Sequence, residues 1–104
     1  AGTTNWSYLN VTGARSFNTN YYNNTFTPMY VNVWGEVGSA GDAILSIHVG
    51  VPGVNHAEIV LGTLTIKANT NGYVTGMVPP GAYYRCEIWN PSGSLNPSSW
   101  VEMF

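Results

Sequence analysis

The run Pro28-Met29-Tyr30-Val31-Asn32-Val33-Trp34-Gly35 decides the fold. Met29, Val31 and Val33 occupy alternate positions with Tyr30, Asn32 and Trp34 between them, so an extended chain here turns one apolar face inward. Residues 43–50 repeat the alternation, with Leu45, Ile47 and Val49 inward and Ile44, Ser46 and His48 outward. Leu64, Ile66 and Ala68 alternate with Thr65 and Lys67, and Val74, Gly76 and Val78 with Tyr73, Thr75 and Met77. Ala82, Tyr84, Cys86 and Ile88 alternate with Tyr83, Arg85, Glu87 and Trp89. Shorter strands are predicted over 6–11 and 18–22, and a last one over 99–103. The segment Ala57-Glu58-Ile59-Val60-Leu61 fits either a short strand or one helical turn, because its period is ambiguous.

Turn signals separate these runs: Asn23-Asn24-Thr25, Val37-Gly38-Ser39-Ala40-Gly41-Asp42, Pro52-Gly53, Asn71-Gly72, Pro79-Pro80-Gly81 and Asn90-Pro91-Ser92-Gly93. Strands arriving at roughly 8–12-residue intervals between such turns predict an all-β fold, an antiparallel β-sandwich of roughly 7–9 strands. At 104 residues the chain is read as a single domain over 1–104. Its start at Ala1 without methionine reads as a piece of a longer protein, with 1–14 as a connecting strand.

The 44% hydrophobic content supplies a core, while only 8% of residues are charged, about a third of the usual fraction of roughly 25%. Five acids against three bases give a net charge of −2. Three scattered cations cannot neutralise a phosphate backbone or form a polybasic membrane patch, so nucleic-acid binding is excluded. No apolar run reaches the length of a membrane span, and insertion into a bilayer is not expected. The single cysteine, Cys86, excludes an intrachain disulfide and a multi-thiolate metal site. Asn, Thr, Ser and Gly stand where charges normally do. The outward positions Tyr30, Trp34, Met77, Tyr83 and Trp89 are large and apolar for a solvent face, which points to contacts between subunits.

Three phrases carry a family resemblance. Tyr21-Tyr22-Asn23-Asn24-Thr25-Phe26-Thr27-Pro28-Met29-Tyr30-Val31-Asn32-Val33 has the form Y-x-N-x-T-x-x-P-hydrophobic-x-V. Val78-Pro79-Pro80-Gly81-Ala82-Tyr83-Tyr84 has the form V-P-P-G-A-x-Y, and Ser99-Trp100-Val101-Glu102-Met103 resembles a closing S-W-x-E-L. In this order and at these spacings, over residues 15–104, they resemble the C-terminal tip domain of tailed-bacteriophage tail-fibre proteins. That resemblance implies a homotrimeric β-sandwich at the distal end of a virion fibre. The implied role is extracellular attachment of the particle to a bacterial surface glycan or outer-membrane protein. Met103 and Phe104 depart from the family's leucine and basic ending, and 51–61 is longer than its counterpart.

The residues argue against chemistry of their own. Glu36, Asp42, Glu58, Glu87 and Glu102 are scattered, and a glycosidase needs two carboxylates across one sugar. Cys86 has inward parity and reads as a small buried hydrophobe rather than a nucleophile. His48 and His56 lack the close partners of a metal site, and no cofactor is expected. Trp100 reads as a core or inter-subunit anchor. The expected function is therefore binding, without enzymatic activity. Asn and Ser side chains hydrogen-bond sugars and aromatic rings pack on them. If strands alternate up and down with 57–61 counted as a strand, the connections at 23–27, 51–56, 69–72 and 90–97 share one end. The predicted receptor-binding residues are Asn24, Asn55, His56, Asn71, Tyr73, Trp89, Asn90, Ser94 and Asn96. A monomeric carbohydrate-binding module and a ligand-free trimerisation cap are the alternatives.

Overall fold

The computed structural model describes residues 7–39, 41–89 and 97–104. Eight strands follow one another along the chain: β1 (Tyr8–Asn10), β2 (Tyr21–Tyr22), β3 (Met29–Glu36), β4 (Ala43–Val49), β5 (Ile59–Ile66), β6 (Asn71–Val78), β7 (Tyr83–Trp89) and β8 (Ser99–Met103). They form two four-stranded antiparallel sheets, ordered β1-β8-β3-β6 and β2-β7-β4-β5. This is the all-β, sandwich-like architecture predicted from alternation. One 3-10 turn, Thr12–Ala14, interrupts the first crossing between the sheets.

Alternation sets both inner faces. Met29, Val31 and Val33 of β3 meet Leu45 and Ile47 of β4, with Val74, Val78, Tyr84, Cys86 and Trp100 completing the buried core. Trp100 is fully buried, and lies 5.9 Å from the rings of both Phe17 and Tyr21. It is a core anchor within one chain. The sheets close on each other at Gly35 and Gly72, which face one another across β3 and β6. A Cβ on Gly72 would stand 2.6 Å from Leu64 Cδ2, so the missing side chain lets β5 settle against the first sheet.

Sequence and structure part company at 57–66. The segment 57–61 is not a strand or helical turn of its own: β5 runs unbroken from Ile59 to Ile66 along β4. Its period slips at Leu61, where the pairing jumps from Ile47↔Gly62 to His48↔Val60 and leaves Leu61 as an extra residue. That bulge breaks the alternation and makes the apolar run before it unreadable by period. The predicted strand over 18–22 shortens to β2, and the one over 6–11 to β1; Trp6 lies outside the described residues.

Candidate functional site

Because β5 is one strand, later loops change ends. At one end, Asn69 N–H donates to Gly38 O at 3.0 Å and Val37 N–H to Thr70 O at 2.9 Å. Asn71 lies there opposite Glu36, Tyr73 opposite Trp34, and Trp89 opposite Ile44. At the other end the loops over 23–28, 50–58 and 79–82 meet, so Asn24, Asn55 and His56 belong to that end. The predicted site is thus split between the two ends of the sandwich, and the expected common end is corrected. Asn90, Ser94 and Asn96 lie outside the described residues.

The second of these ends is built on Asn23, which is almost fully buried although polar. Its Nδ2 donates to Thr27 O and Val78 O, both at 3.0 Å, and its Oδ1 accepts from Thr25 N at 3.1 Å and Thr25 Oγ1 at 2.7 Å. Its backbone is fixed too: Asn23 N–H donates to Ala82 O at 2.9 Å and Gly81 N–H to Asn23 O at 3.0 Å. A short polar side chain that satisfies a turn from inside removes the turn's freedom. The result is a rigid loop that carries Phe26 at its tip, 100% exposed. The neighbouring loop is fastened by Gly53 N–H to Gly81 O at 3.1 Å and Gly50 N–H to Tyr83 O at 2.8 Å. It folds back so closely that a Cβ on Gly50 would fall 2.0 Å from His56 O.

The loops around Phe26 carry little charge. Segments 23–28, 50–57 and 79–82 contain no Asp, Glu, Lys or Arg, and Glu58, exposed where the second loop enters β5, is the one acidic residue of the three loops. Val51 and Tyr22 are about half exposed, and the Tyr22 and Tyr83 rings pack 4.9 Å apart, tilted by 48°. Phe26 and this ring pair were missed by the sequence reading. The available signal was the Asn-Asn-Thr-Phe-Thr-Pro run, in which an asparagine two residues before a threonine forms the hydrogen-bonded turn.

Two polar clusters lie elsewhere. Inside the sandwich, Arg15 Nε and Nη2 each reach the Glu102 carboxylate at 3.1 Å. Tyr84 O–H donates to Glu102, and Trp100 Nε1–H donates to Tyr84 at 3.1 Å. Arg15 also stacks 4.6 Å over the Tyr21 ring. Burial, reinforced by Glu102, pushes the Tyr84 hydroxyl pKa up, so it stays a neutral donor. Burial likewise pushes the Cys86 thiol up to about 12, which keeps it protonated and unreactive.

On the outer face of the second sheet, Ser46 Oγ lies 3.0 Å from His48 Nε2 and Glu87 Oε2 lies 3.6 Å from the same nitrogen. Arg85 binds that carboxylate at 2.6 Å and Asn20 Oδ1 at 3.0 Å. A serine relay needs hydroxyl and carboxylate on different ring nitrogens. Here both crowd one, so the cluster does not pass a proton from Ser46 through His48 to Glu87. Among the described residues no cleft encloses a small molecule, and no three His, Cys, Asp or Glu side chains gather to hold a metal.

No protein-family model matches the chain, and no curated protein is similar to it at a significant level.

Proposed function

We propose that this domain is a non-enzymatic adhesin: the tip of a viral tail fibre, present in three copies, that attaches the particle to a bacterial surface glycan or outer-membrane protein. The observation that carries the reading is Phe26, wholly exposed on a loop that Asn23 locks from within. A fully wetted aromatic on a rigid turn is ready to bury its ring against a partner at little entropic cost. Asn24, Asn55 and His56 add exposed donors and acceptors on the loops of the same end, where Glu58 is the one acidic residue. Weak contacts at each tip would multiply through several copies engaged at once.

The test is binding of the labelled protein to immobilised lipopolysaccharide and to outer-membrane vesicles from a panel of bacteria. Phe26→Ala and Asn55→Ala are expected to abolish retention on whichever surface captures the wild type. Asn71→Ala and Trp89→Ala, at the opposite end, should leave it intact. The reverse pattern would move the receptor surface to that opposite end.

A second reading rests on the Trp34–Tyr73 pair, whose rings lie 4.9 Å apart on the outer face of the first sheet with Asn32, Thr75 and Ser99 nearby. That platform suits a monomeric carbohydrate-binding module. Loss of binding in Trp34→Ala with retention in Phe26→Ala would favour it.

A further inference from the structure

The apolar outward positions fall on two faces of different character. Across the first sheet the register aligns Tyr8, Met103, Tyr30 and Met77 in one row. The next row is Asn10, Val101, Asn32 and Thr75, and beyond it Ser99, Trp34 and Tyr73 stand side by side. None of these residues is charged; Glu36, at the end of β3, is the first ion met. Outward positions of the second sheet instead read Arg85, Glu87, His48 and Ser46, with Trp89 and Ile44 at one end and Tyr22 and Tyr83 at the other.

We propose that the outer face of the first sheet is the surface through which copies of this chain pack on one another. The inference rests on the multi-copy part of the proposed function and not on its receptor.

Area is the first argument. Tyr8 is 63% exposed, Tyr73 51%, Met77 45% and Trp34 37%. At roughly 150–250 Å² per large side chain this leaves on the order of 400 Å² of apolar surface. Met103, half-buried between Tyr8 and Tyr30, and Val101, half-buried in the next row, add to it. One side of a standard interface buries about 800 Å², a little over half of it apolar. The face therefore supplies the apolar share of a full interface, and a monomer would leave it in water.

Charge is the second argument. Two like faces meet without repulsion only if neither carries net charge, and this one is neutral over its three rows. The second sheet is the poorer surface, because packing a copy on it would take the Arg85 and Glu87 charges out of water, whereas the outer rows of the first sheet hold no ion to desolvate.

Rigidity is the third. Tyr30 and Trp34 of β3 and Val101 and Met103 of β8 sit on the two central strands of the sheet, and the Trp34 and Tyr73 rings are already packed together. Little rotamer freedom remains to be lost on association.

Light scattering during size exclusion tests this on the whole chain, at about 10 and about 200 μM. Wild type is expected at a multiple of 11.3 kDa, three copies under the fibre reading. Met77→Lys and Thr75→Lys each place an ammonium in the face and are expected to weaken assembly at least about 100-fold. Thr63→Lys, on the outer face of the second sheet, should change nothing. Thr75 is exposed, so its variant keeps the test valid if Met77→Lys disturbs folding, and circular dichroism checks both. Assemblies that survive both face variants would overturn this surface and leave the multi-copy reading standing. A wild type that is monomeric at both concentrations would overturn both, and would give the face to a sugar or to another segment of the chain.

Discussion

The two sheets bury apolar inner faces alike and differ in what they turn outward. The first turns Glu102 of β8 inward, into the core beneath Arg15, Tyr84 and Trp100, while Tyr73, Trp34 and Met77 look outward and Glu36 stands exposed at the end of β3. The second keeps Leu45, Ile47 and Cys86 inward and sets Arg85 and Glu87 on its outer surface. Solvent prefers the second arrangement. The first sheet is apolar on both sides, with Val31, Val33, Val74 and Trp100 in the core and Tyr73, Trp34 and Met77 in solvent, and its buried carboxylate is tolerable only because Arg15 and Tyr84 are in place.

That contrast breaks most visibly at the two arginines. Arg15→Ala strips the buried carboxylate of its cation and is expected to cost about 2–4 kcal/mol. In a domain of this size that lowers the melting temperature by roughly 10 °C or more. Arg85→Ala removes the partner of a half-exposed glutamate and should cost under about 1 kcal/mol. Equal losses in thermal unfolding would mean that the inner ion is not the structural one.

The inner face of the second sheet sharpens the point. The Cys86 thiol lies in the hydrophobic core with no hydrogen-bond partner among the described residues, so Cys86→Ser should lose about 1–2 kcal/mol by burying an idle hydroxyl. The native thiol should react with a thiol reagent near neutral pH only as fast as the domain unfolds, in keeping with a value of about 12. Rapid labelling of the folded protein would contradict this.

The smallest effect is at the rim. Asp42 accepts from Ala68 N–H at 2.9 Å and from Lys67 Nζ at 3.3 Å, and those bonds, the backbone one foremost, hold its carboxyl below the usual range. A depressed value means the stabilisation is present above the ordinary carboxylate range and fades as pH falls through the lowered one. Asp42→Asn should therefore melt slightly below wild type near neutral pH, with the gap closing in strong acid. A gap that widens in acid would invert the sign.

Period-two alternation is a property of each strand alone, which is why β3, β4, β6, β7 and β8 were legible. Cys86 and the inward sides of β3 and β4 followed from the same rule, while Trp100 was read as a core or inter-subunit anchor from the size of its indole. Pairing across distance was not. Arg15 and Glu102 are 87 positions apart, and nothing local in either marks the other. Loop grouping was the most fragile step, because counting strands up and down carries any error forward. One bulged residue, Leu61, disguised β5 as two pieces, and the predicted binding residues then fell at both ends instead of one. Phe26 was overlooked for a related reason: exposure of a loop aromatic depends on what holds the loop, and Asn23 does so through a carbonyl on β6.

Leu61 has a further consequence. β5 is the outer strand of its sheet, eight residues long, with Ile59, Val60, Leu61 and Leu64 exposed, a natural template for stacking chain on chain into fibrils. An added strand in step with 62–66 would be one residue out of step past Leu61, with every side chain beyond it on the wrong face. The bulge acts as a terminator. It leaves the domain free to present apolar surface on the face of one sheet without inviting endless growth along the edge of the other.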